Sequence, residues 1–253
     1  MLAVTRKNKI KSILNEKKSV TVGELSKTFS VTEETIRRDL KVLEDEGFLT
    51  RTYGGAFIQS GVENLVDVEI REVAYTKSKT LIANECQKII QNGDSIFLDA
   101  STTAYFISKA ISNMRLTVVT NSLLVINQLS ACKSIRLVCI GGTLSRNNKA
   151  FQGYQTLQTL DSLYLDKTFM SCRSLSMENG ITDSSEGTAS IRKKLISRSN
   201  ETYLIADYSK FDKTSFIHVC DFENLTAIVS DKELNTEWAD FLKKKNTKYI
   251  YCN

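Results

Sequence analysis

The sequence predicts an α/β protein in two parts: a small N-terminal helical domain and a larger domain built on a parallel sheet. Residues 1–57 contain three short amphipathic segments with helical spacing and end near a double glycine. From residue 76 to residue 253, apolar β-branched runs alternate with helical patterns, which is typical of a parallel sheet with helices on its faces. A chain of 253 residues has room for both domains, and we expect a linker at residues 58–75.

The composition excludes several classes of protein. Hydrophobic residues make up 42% and charged residues 25% of the chain, as in ordinary globular proteins. The six cysteines form no CxxC pair, and a single histidine, His218, gives little support to a zinc site or a histidine-activated nucleophile. Neither a secretory signal pattern nor an apolar run near the ~20 residues that span a bilayer is present. We therefore expect a cytoplasmic protein with reduced thiols, no membrane contact and no cofactor.

The first two helices of the small domain are predicted from spacing and capping. Residues 5–16 place apolar side chains at helical intervals among lysines, so one face of this helix is apolar. Thr21 and Glu24 have the spacing of a capping box, in which each side chain accepts a hydrogen bond from the other residue's backbone. We expect them to begin a second short helix that ends at Phe29.

A third helix and a ribbon complete the small domain. Thr32 can cap the helix, and Gly47 can end it in a left-handed conformation. Residues 48–57 alternate loosely and include two consecutive glycines, as a two-stranded ribbon with a tight turn would. This order of elements matches a winged helix-turn-helix, whose third helix enters the major groove of DNA. Arg37 and Arg38 could then bond guanine or phosphate, although a pair of arginines is also common on a solvated helix.

The predicted strands of the larger domain end in small or acidic polar residues. One buried strand ends at Asp99, and Ser101, Thr102 and Thr103 then open a helix. Ligands of open parallel sheets bind at the carboxyl ends of the strands, where hydroxyl groups at a helix N-terminus suit a phosphate. Asp99 would repel phosphate but could accept hydrogen bonds from sugar hydroxyls. The pattern favours a phosphosugar site, although each polar group has an ordinary alternative as a cap or turn.

The segment VTVGELSKTFSVTEETIRRDLKVLEDEGFLTRTYGGA closely resembles the N-terminal signature of the DeoR family of bacterial transcriptional regulators. The later blocks DASTTAYFISKAI, IGGTLSRNNKAFQG and IADYSKFDKTSF look like the sensor domain of that family, whose fold is similar to ribose 5-phosphate isomerase. The resemblance covers nearly the whole chain. It implies a non-enzymatic repressor of sugar-metabolism genes, whose operator binding is controlled by a phosphorylated sugar or related metabolite.

The residue patterns and the resemblance together yield two sets of candidate site residues. For DNA binding we expect Thr21, Thr32, Glu33, Thr35, Arg37, Arg38, Lys41, Arg51, Tyr53 and Gly54. For effector binding we expect Asp99, Ser101, Thr102, Thr103, Thr120, Asn121, Gly141, Gly142, Arg173, Asp183, Glu186, Asp207 and Lys210.

One block departs from the family pattern. The stretch SCRSLSMENG stands where the family usually has a Gly-rich run, and Glu186 is followed by Gly187 where an acidic-Ala pair is usual. Arg173 could therefore contribute a phosphate contact of its own, or this loop could bind a different effector.

The predicted partners are double-stranded operator DNA, a small sugar phosphate and further copies of the chain. We expect a homodimer or homotetramer, because paired half-sites multiply the specificity of a small helix-turn-helix. The alternative is a phosphosugar isomerase-like enzyme with a fused DNA-binding module, in which Asp99, Asp183, Glu186 and Lys210 would transfer protons. The N-terminal domain argues against this alternative, since an isomerase has no use for it.

Overall fold

The computed structural model describes residues 2–52, 54–58 and 68–253. The chain divides into two compact units, Met1–Thr76 and Lys77–Asn253, and each has hydrophobic cores of its own. Tyr53, an expected DNA-binding residue, and residues 59–67 of the expected linker lie outside the described residues.

The described part of the smaller unit contains four helices and three short strands. They are α1 (Ala3–Lys17), β1 (Ser19–Thr21), α2 (Val22–Phe29), α3 (Glu33–Asp45), β2 (Thr50–Arg51), β3 (Gly55–Phe57) and α4 (Val68–Val73). The predicted capping box is confirmed, because the Glu24 backbone N–H donates to Thr21 Oγ1 and the Thr21 backbone N–H donates to Glu24 Oε2, each at 3.1 Å. The predicted end of the third helix is also confirmed, since Gly47 follows it with φ +71°.

The small sheet has one strand more than the sequence analysis predicts. Strand β3 lies between β1 and β2 and pairs with both in antiparallel fashion. The Thr52 backbone N–H donates to the Gly55 carbonyl at 2.8 Å, which closes the turn between β2 and β3. A Cβ on Gly55 would lie 2.1 Å from the carbonyl oxygen of Val20. Gly55, the second glycine of the pair, is therefore required by the close approach of β1. Strand β1 has only three residues, which is too few for a sequence pattern to predict it.

The segment that we predict to be a linker is partly a folded extension of the small unit. Helix α4 lies within it, and Ile70 and Ala74 are buried against Phe57 of β3. Tyr75 adds an edge-on ring contact with Phe57, with 6.2 Å between the ring centroids. These contacts bury Phe57 and attach α4 to β3.

A buried ion pair joins two helices of the small unit. Arg6 of α1 donates through Nε to Oδ2 of Asp39 on α3 at 2.5 Å and through Nη2 to Oδ1 at 3.3 Å. Both side chains are only 8% exposed. The apolar residues around the helices, including Ile10, Leu14 and Leu40, form the core of this unit. The position of α3 is thus set by a directional contact as well as by apolar packing.

The larger unit alternates helices and strands after α5 (Thr76–Ile89). The next elements are β4 (Ser95–Leu98), α6 (Thr102–Ala110), β5 (Leu116–Thr120), α7 (Leu123–Leu129), β6 (Ile135–Cys139), β7 (Thr143–Ser145), β8 (Ala150–Gln152) and α8 (Tyr154–Asp161). They are followed by β9 (Leu165–Met170), β10 (Ser174–Ser176), β11 (Gly180–Asp183), α9 (Glu186–Ser197), β12 (Ser199–Ile205), β13 (Ile217–Cys220), β14 (Ala227–Ser230), α10 (Thr236–Lys244) and β15 (Lys248–Tyr251).

The predicted parallel sheet is confirmed. Within the described residues it has seven strands in the order β15-β14-β12-β9-β4-β5-β6, and every neighbouring pair is parallel. Two smaller antiparallel sheets, β7-β8 and β10-β11-β13, accompany it. The sequence analysis does not predict the smaller sheets as such, because their strands have only three or four residues.

Side chains of the central strands alternate between the two faces of the sheet. In β4, Ile96 and Leu98 join a core with residues of α5, α6 and α7, whereas Phe97 joins a second core with residues of α8 and α9. A third core contains Trp238 of α10 together with Met170 and Leu204 at the ends of β9 and β12. Because helices cover both faces, the polar residues that follow the strands collect at the edge of the sheet.

Replacing Gly55 with alanine is expected to destabilise the small unit by ~1–3 kcal/mol, the usual cost of forcing a methyl group into a packed site. The new Cβ would meet the Val20 carbonyl oxygen, so β1 and β3 would have to separate. Gly54→Ala is the matched control, because the position of its Cβ has no described neighbour within 4 Å. Hydrogen exchange of the α2 and β3 amides in the intact chain measures the difference, and equal protection in both variants would contradict the steric explanation.

Candidate functional site

The exposed face of α3 carries most of the candidate DNA-binding side chains. Thr32 caps this helix by accepting a hydrogen bond from the Thr35 backbone N–H at 3.3 Å, and the two hydroxyl oxygens lie 2.9 Å apart. Arg38 and Lys41 are exposed further along the helix. Long cationic side chains on the first half of a recognition helix can reach base edges and phosphates.

Two of the candidate arginines are held by carboxylates in this DNA-free structure. Arg37 Nη2 lies 2.9 Å from Glu33 Oε2, one helical turn away. Arg51 of the wing donates through Nε and through its backbone N–H to the two oxygens of Glu44, at 2.6 and 2.8 Å. Partial burial alone would raise the pKa of Glu44, but these bonds from Arg51 lower it below its ordinary value. Exposed pairs of this kind contribute ~0–1 kcal/mol, so DNA phosphates can replace the carboxylates at little cost.

The other two described wing-side candidates have different surroundings. The Thr21 hydroxyl is engaged in the capping box of α2. Gly54 is exposed at the turn between β2 and β3.

The candidate effector residues of the larger unit meet at one edge of the sheet. Strands β12, β9, β4, β5 and β6 are consecutive neighbours and parallel, so their carboxyl ends lie side by side. Asp99 follows β4, Asn121 follows β5, and Asp207 follows β12. Asp183 ends β11. A side chain that contacts both Asp183 and Asp99 brings it to the same edge.

That contact is made by Arg192, a residue that the sequence analysis did not single out. Its side chain is 6% exposed and lies between two buried carboxylates. Arg192 donates to Asp99 Oδ2 through Nη2 at 2.7 Å and through Nε at 3.1 Å, and it donates to Asp183 Oδ2 through Nη1. Burial alone would lower the pKa of Arg192, but the charges of Asp183 and Asp99 raise it above its ordinary value. Arg192 therefore remains a cation at the centre of this edge.

The remaining acceptor positions of the two carboxylates are taken by backbone N–H groups. Asp99 accepts from the backbone of Ser101 and Ser171, each at 2.9 Å. Asp183 accepts from the backbone of Ser184 at 2.8 Å and of Ser185 at 3.2 Å. These bonds hold the loops after β4, β9 and β11 in one arrangement, so both aspartates act first as supports of the site.

The signal for Arg192 is present in the sequence, but only on the helical wheel. In α9, Ala189, Arg192 and Leu195 recur every three residues and are all buried. A charged residue on the apolar face of a helix indicates a buried ionic partner. Sequence alone does not identify that partner, because Asp99 lies 93 positions away.

Asn121 offers a buried acceptor at the same edge. It is 3% exposed, and its Nδ2 donates to the Phe151 carbonyl at 2.9 Å. Among the described residues its Oδ1 has no hydrogen-bond partner. Thr120 is instead satisfied, since its hydroxyl donates to the Leu98 carbonyl at 2.7 Å and accepts from the Ser122 backbone N–H at 3.0 Å. This buried amide oxygen is an acceptor available to a hydroxyl donor, which either a water molecule or a ligand can supply.

The glycine pair after β6 shapes the β7-β8 hairpin. Gly142 has φ +140°, and a Cβ there would lie 2.3 Å from the hydroxyl oxygen of Thr156. That hydroxyl donates to the Gly141 carbonyl at 2.7 Å, which ties the turn to α8. Hydrogen bonds from Leu123 to the Lys149 carbonyl and from the Phe151 backbone to Asn121 place the hairpin beside the end of β5.

The same hairpin contacts the start of α9, where the chain departs from the family pattern. A Cβ on Gly187 would lie 2.6 Å from Oε1 of Gln152, the last residue of β8. Gln152 also donates through Nε2 to the Thr188 hydroxyl at 3.2 Å. An alanine at position 187 would displace this amide, so the glycine accommodates the contact between hairpin and helix. Glu186 precedes it in the first turn of α9.

Other candidates cluster around the ends of β9 and β12. Asp207 is 1% exposed and accepts hydrogen bonds from the backbone and the hydroxyl of Ser209. Burial raises the pKa of the Cys172 thiol to about 12, against the opposing effect of the positive charges of Arg192 and Lys210. Arg192 and Lys210 therefore both lie near Cys172, which directly precedes Arg173 in the chain.

Two further observations on the described residues concern membranes and metal ions. No helix among the described residues is long and apolar enough to cross a membrane. The described residues also contain no group of three His, Cys, Asp or Glu side chains placed to hold a metal ion. His218 is exposed on β13, with its Nε2 3.2 Å from Asp221 Oδ1.

Arg192→Met is expected to destabilise the larger unit by ~3–5 kcal/mol, because it leaves two buried carboxylates without their cation. Lys193→Met is the control, since it removes a charge from an exposed neighbour on the same helix. Urea unfolding of the intact chain compares the two variants. Adding Asp99→Asn and Asp183→Asn to Arg192→Met should restore part of the loss, and equal stability of the two single variants would contradict the structural role of the ion pairs.

Comparison with known proteins assigns both units to one family. A model of the DeoR C terminal sensor domain matches residues 75–232, and a model of the DeoR-like helix-turn-helix domain matches residues 6–61. The structure also resembles ribose 5-phosphate isomerase A from Methanocaldococcus jannaschii, with a TM-score of 0.41 and 17% identity over 55% of each chain. A similarity of that extent concerns chain topology and says nothing about activity.

Similar sequences cover almost the whole chain. The uncharacterized HTH-type transcriptional regulator YulB of Bacillus subtilis is 38% identical, over 98% of this chain and 96% of its own. The L-fucose operon activator of Haemophilus influenzae is 32% identical, over 87% and 89% of the two chains. The lactose phosphotransferase system repressor of Staphylococcus epidermidis is also 32% identical, over 89% and 91%. The chain therefore belongs to the DeoR family of DNA-binding transcriptional regulators.

Proposed function

We propose that this protein represses sugar-metabolism genes and that a phosphorylated sugar or related metabolite controls its affinity for double-stranded operator DNA. The observation that carries the proposal is the edge of the parallel sheet, where Asn121 holds a buried acceptor without a donor among the described residues and the hydroxyl residues Ser101, Thr102 and Thr103 open helix α6. Hydroxyl donors and an anionic group are the two features of a sugar phosphate that such a site would recognise. The relatives named for lactose and L-fucose systems support a sugar as the effector class.

The proposed DNA contacts follow from the exposed face of α3 and from the wing. Thr32 and Thr35 would contact the DNA backbone, and Arg37 and Arg38 would reach bases or phosphates. Arg51 would bind phosphate from the wing after leaving Glu44. The other proposed contacts are made by Thr21, Glu33, Lys41, Tyr53 and Gly54.

The proposed effector contacts lie on the loops at the carboxyl edge. Asn121 would accept a sugar hydroxyl, while Arg192 would orient Asp99 and Asp183 around the ligand. The other proposed contacts are made by Ser101, Thr102, Thr103, Thr120, Gly141, Gly142, Arg173, Glu186, Asp207 and Lys210.

Regulation requires the effector to bind the DNA-free and DNA-bound forms with different affinities. A coupling of ~1–3 kcal/mol would change operator affinity some 5- to 150-fold. In a repressor that is released by its effector, the ligand prefers the DNA-free form. We propose a homodimer or homotetramer as the active species, because two small domains on paired half-sites read more base pairs than one.

The isomerase alternative is disfavoured by the arrangement of the carboxylates. Asp99 and Asp183 already accept hydrogen bonds from Arg192 and from four backbone N–H groups. They are therefore poorly placed to take a proton from a bound sugar. Incubation of the intact protein with pentose and hexose phosphates tests this alternative, and steady isomerisation that Lys210→Ala abolishes would establish it.

The central prediction is operator binding that one sugar phosphate alters. The intact protein should bind DNA from upstream of its own gene in a mobility-shift assay, and one member of a panel of sugar phosphates should release it. The corresponding unphosphorylated sugars are the control. Binding that no compound changes would contradict the proposed effector class, and absence of specific binding would contradict the regulatory proposal as a whole.

Arg38→Ala should weaken operator binding by ~1–3 kcal/mol if the side chain reads a base. Arg136→Ala is the control, because it removes an exposed positive charge from β6 of the larger unit and leaves α3 unchanged. Titrations with the operator and with an unrelated sequence distinguish the two possible roles. Loss confined to the operator indicates base contact, equal loss on both sequences indicates phosphate contact, and no loss on either would remove Arg38 from the interface.

A further inference from the structure

We propose that the Thr52 hydroxyl donates a hydrogen bond to a phosphate of the DNA backbone, which adds a contact to the interface proposed for α3 and the wing. The inference rests on the proposed function, because it concerns the same interface. Thr52 directly follows β2, and it is not among the DNA-binding residues that the sequence analysis expects. Its assignment depends on the surroundings of the side chain, which only the structure shows.

The side chain of Thr52 is not engaged within the protein. Its hydroxyl oxygen is buried and has no hydrogen-bond partner in the part of the chain that the structure describes. Thr21 and Thr32, two other threonines of the small unit, each accept a hydrogen bond as a helix cap. Buried polar groups of native structures are nearly always paired, so an exception calls for an explanation. The Thr52 hydroxyl has a bond to offer to a second molecule.

The backbone around this side chain is held in place. The Thr52 backbone N–H donates to the Gly55 carbonyl at 2.8 Å. The backbone N–H of the preceding residue, Arg51, donates to Glu44 Oε1 at 2.8 Å. Rotation about the Cα–Cβ bond of Thr52 would therefore move the hydroxyl without breaking either bond. A contact from an ordered backbone loses less entropy when it forms.

Thr52 lines two cavities of the small unit, which give its side chain room to turn. The first has a volume of about 410 Å³, and its lining residues are Val22, Arg37, Leu40, Arg51, Thr52 and Gly55. The second has a volume of about 340 Å³ and is lined by Glu44, Thr50, Arg51, Thr52 and residues 73–75. The first cavity therefore brings Thr52 together with Arg37 and Arg51, whose guanidinium groups are proposed to contact DNA.

A phosphate oxygen suits the Thr52 hydroxyl as an acceptor. Threonine hydroxyls are among the side-chain groups that contact DNA phosphates, and a hydrogen bond to an ionised oxygen is stronger than one to a neutral acceptor. Arg37 and Arg51 each pair with a glutamate in the DNA-free structure. The Thr52 hydroxyl, by contrast, has no bond to give up among the described residues. It can therefore bind an entering phosphate before either arginine leaves its carboxylate.

Thr52→Val tests the contact, because valine keeps the shape of the side chain and removes the hydroxyl. It should weaken binding of the intact protein to DNA from upstream of its own gene about tenfold in a mobility-shift titration, as expected when a hydrogen bond to a charged group is lost. An unrelated sequence should show the same fold-change, since a phosphate contact carries no sequence information. Thr52→Ser should retain most of the affinity. Thr143→Val, which makes the same change at an exposed position of β7, should leave binding unchanged.

The dependence of binding on salt distinguishes Thr52 from its charged neighbour Arg51. A neutral hydroxyl displaces no counterion, so Thr52→Val should keep the slope of log affinity against log salt concentration. Arg51→Ala should instead reduce the magnitude of that slope by about one. A reduced slope in Thr52→Val would show that the variant acts through Arg51, and it would overturn the direct contact.

Thermal unfolding without DNA separates a DNA contact from a role in folding. Because valine replaces a buried hydroxyl that has no partner, Thr52→Val should leave the unfolding temperature unchanged or raise it. A lower unfolding temperature would show that the hydroxyl is already bonded in the free protein, for example to water. The weaker DNA binding would then follow from a destabilised wing, and the proposed contact would be wrong.

Two further results separate this inference from the proposed function. If the wild type binds the DNA and Thr52→Val binds it equally well, the Thr52 contact is wrong while the regulatory proposal stands. If the wild type binds no DNA, both are wrong.

Discussion

The arrangement of the larger unit depends on the ion pairs that Arg192 makes with Asp99 and Asp183. Arg192 links the end of β4 to the end of β11 from a position on α9, and each of its three contacts is to a buried carboxylate. Burying such charges costs several kcal/mol per ion, so the arrangement is favourable only while all the partners are present. The same bonds fix the loops around the carboxyl edge. A site that must recognise a small polar ligand gains from loops that are ordered before the ligand arrives.

A buried ion pair also fixes the arrangement of two helices in the small unit. Arg6 and Asp39 join α1 to α3 through two hydrogen bonds in a core that otherwise consists of apolar side chains. Apolar packing is not directional, and several helix rotations can bury similar area. A bidentate ion pair is satisfied in only one of them. It therefore sets which residues of α3 remain exposed, among them Arg38 and Lys41.

The departures from the family pattern lie in the larger unit more than in the DNA-binding unit. Gly187 accommodates Gln152 of the β7-β8 hairpin, and the Arg173 backbone N–H donates to the Thr182 carbonyl of β11 at 3.1 Å. Arg173 lies on the loop after β9 and Gly187 in the first turn of α9, so neither change alters a strand of the parallel sheet. The chain thus combines a DNA-binding signature close to the family pattern with a larger unit that departs from that pattern at Arg173 and Gly187.

The sequence by itself determined the family, the winged helix-turn-helix, the parallel sheet and the caps of α2 and α3, because these follow from local spacing and from short motifs. It also predicted that polar residues would gather at the carboxyl edge. Only the tertiary structure decided which distant residues these side chains contact. Arg192 meets Asp99 across 93 positions, and β1 explains Gly55 from more than thirty residues away. Phe211 and Lys213 meet Leu175 of β10 because that strand lies beside a loop much later in the chain. Such contacts depend on which strands become neighbours, and no local pattern in the chain contains that information.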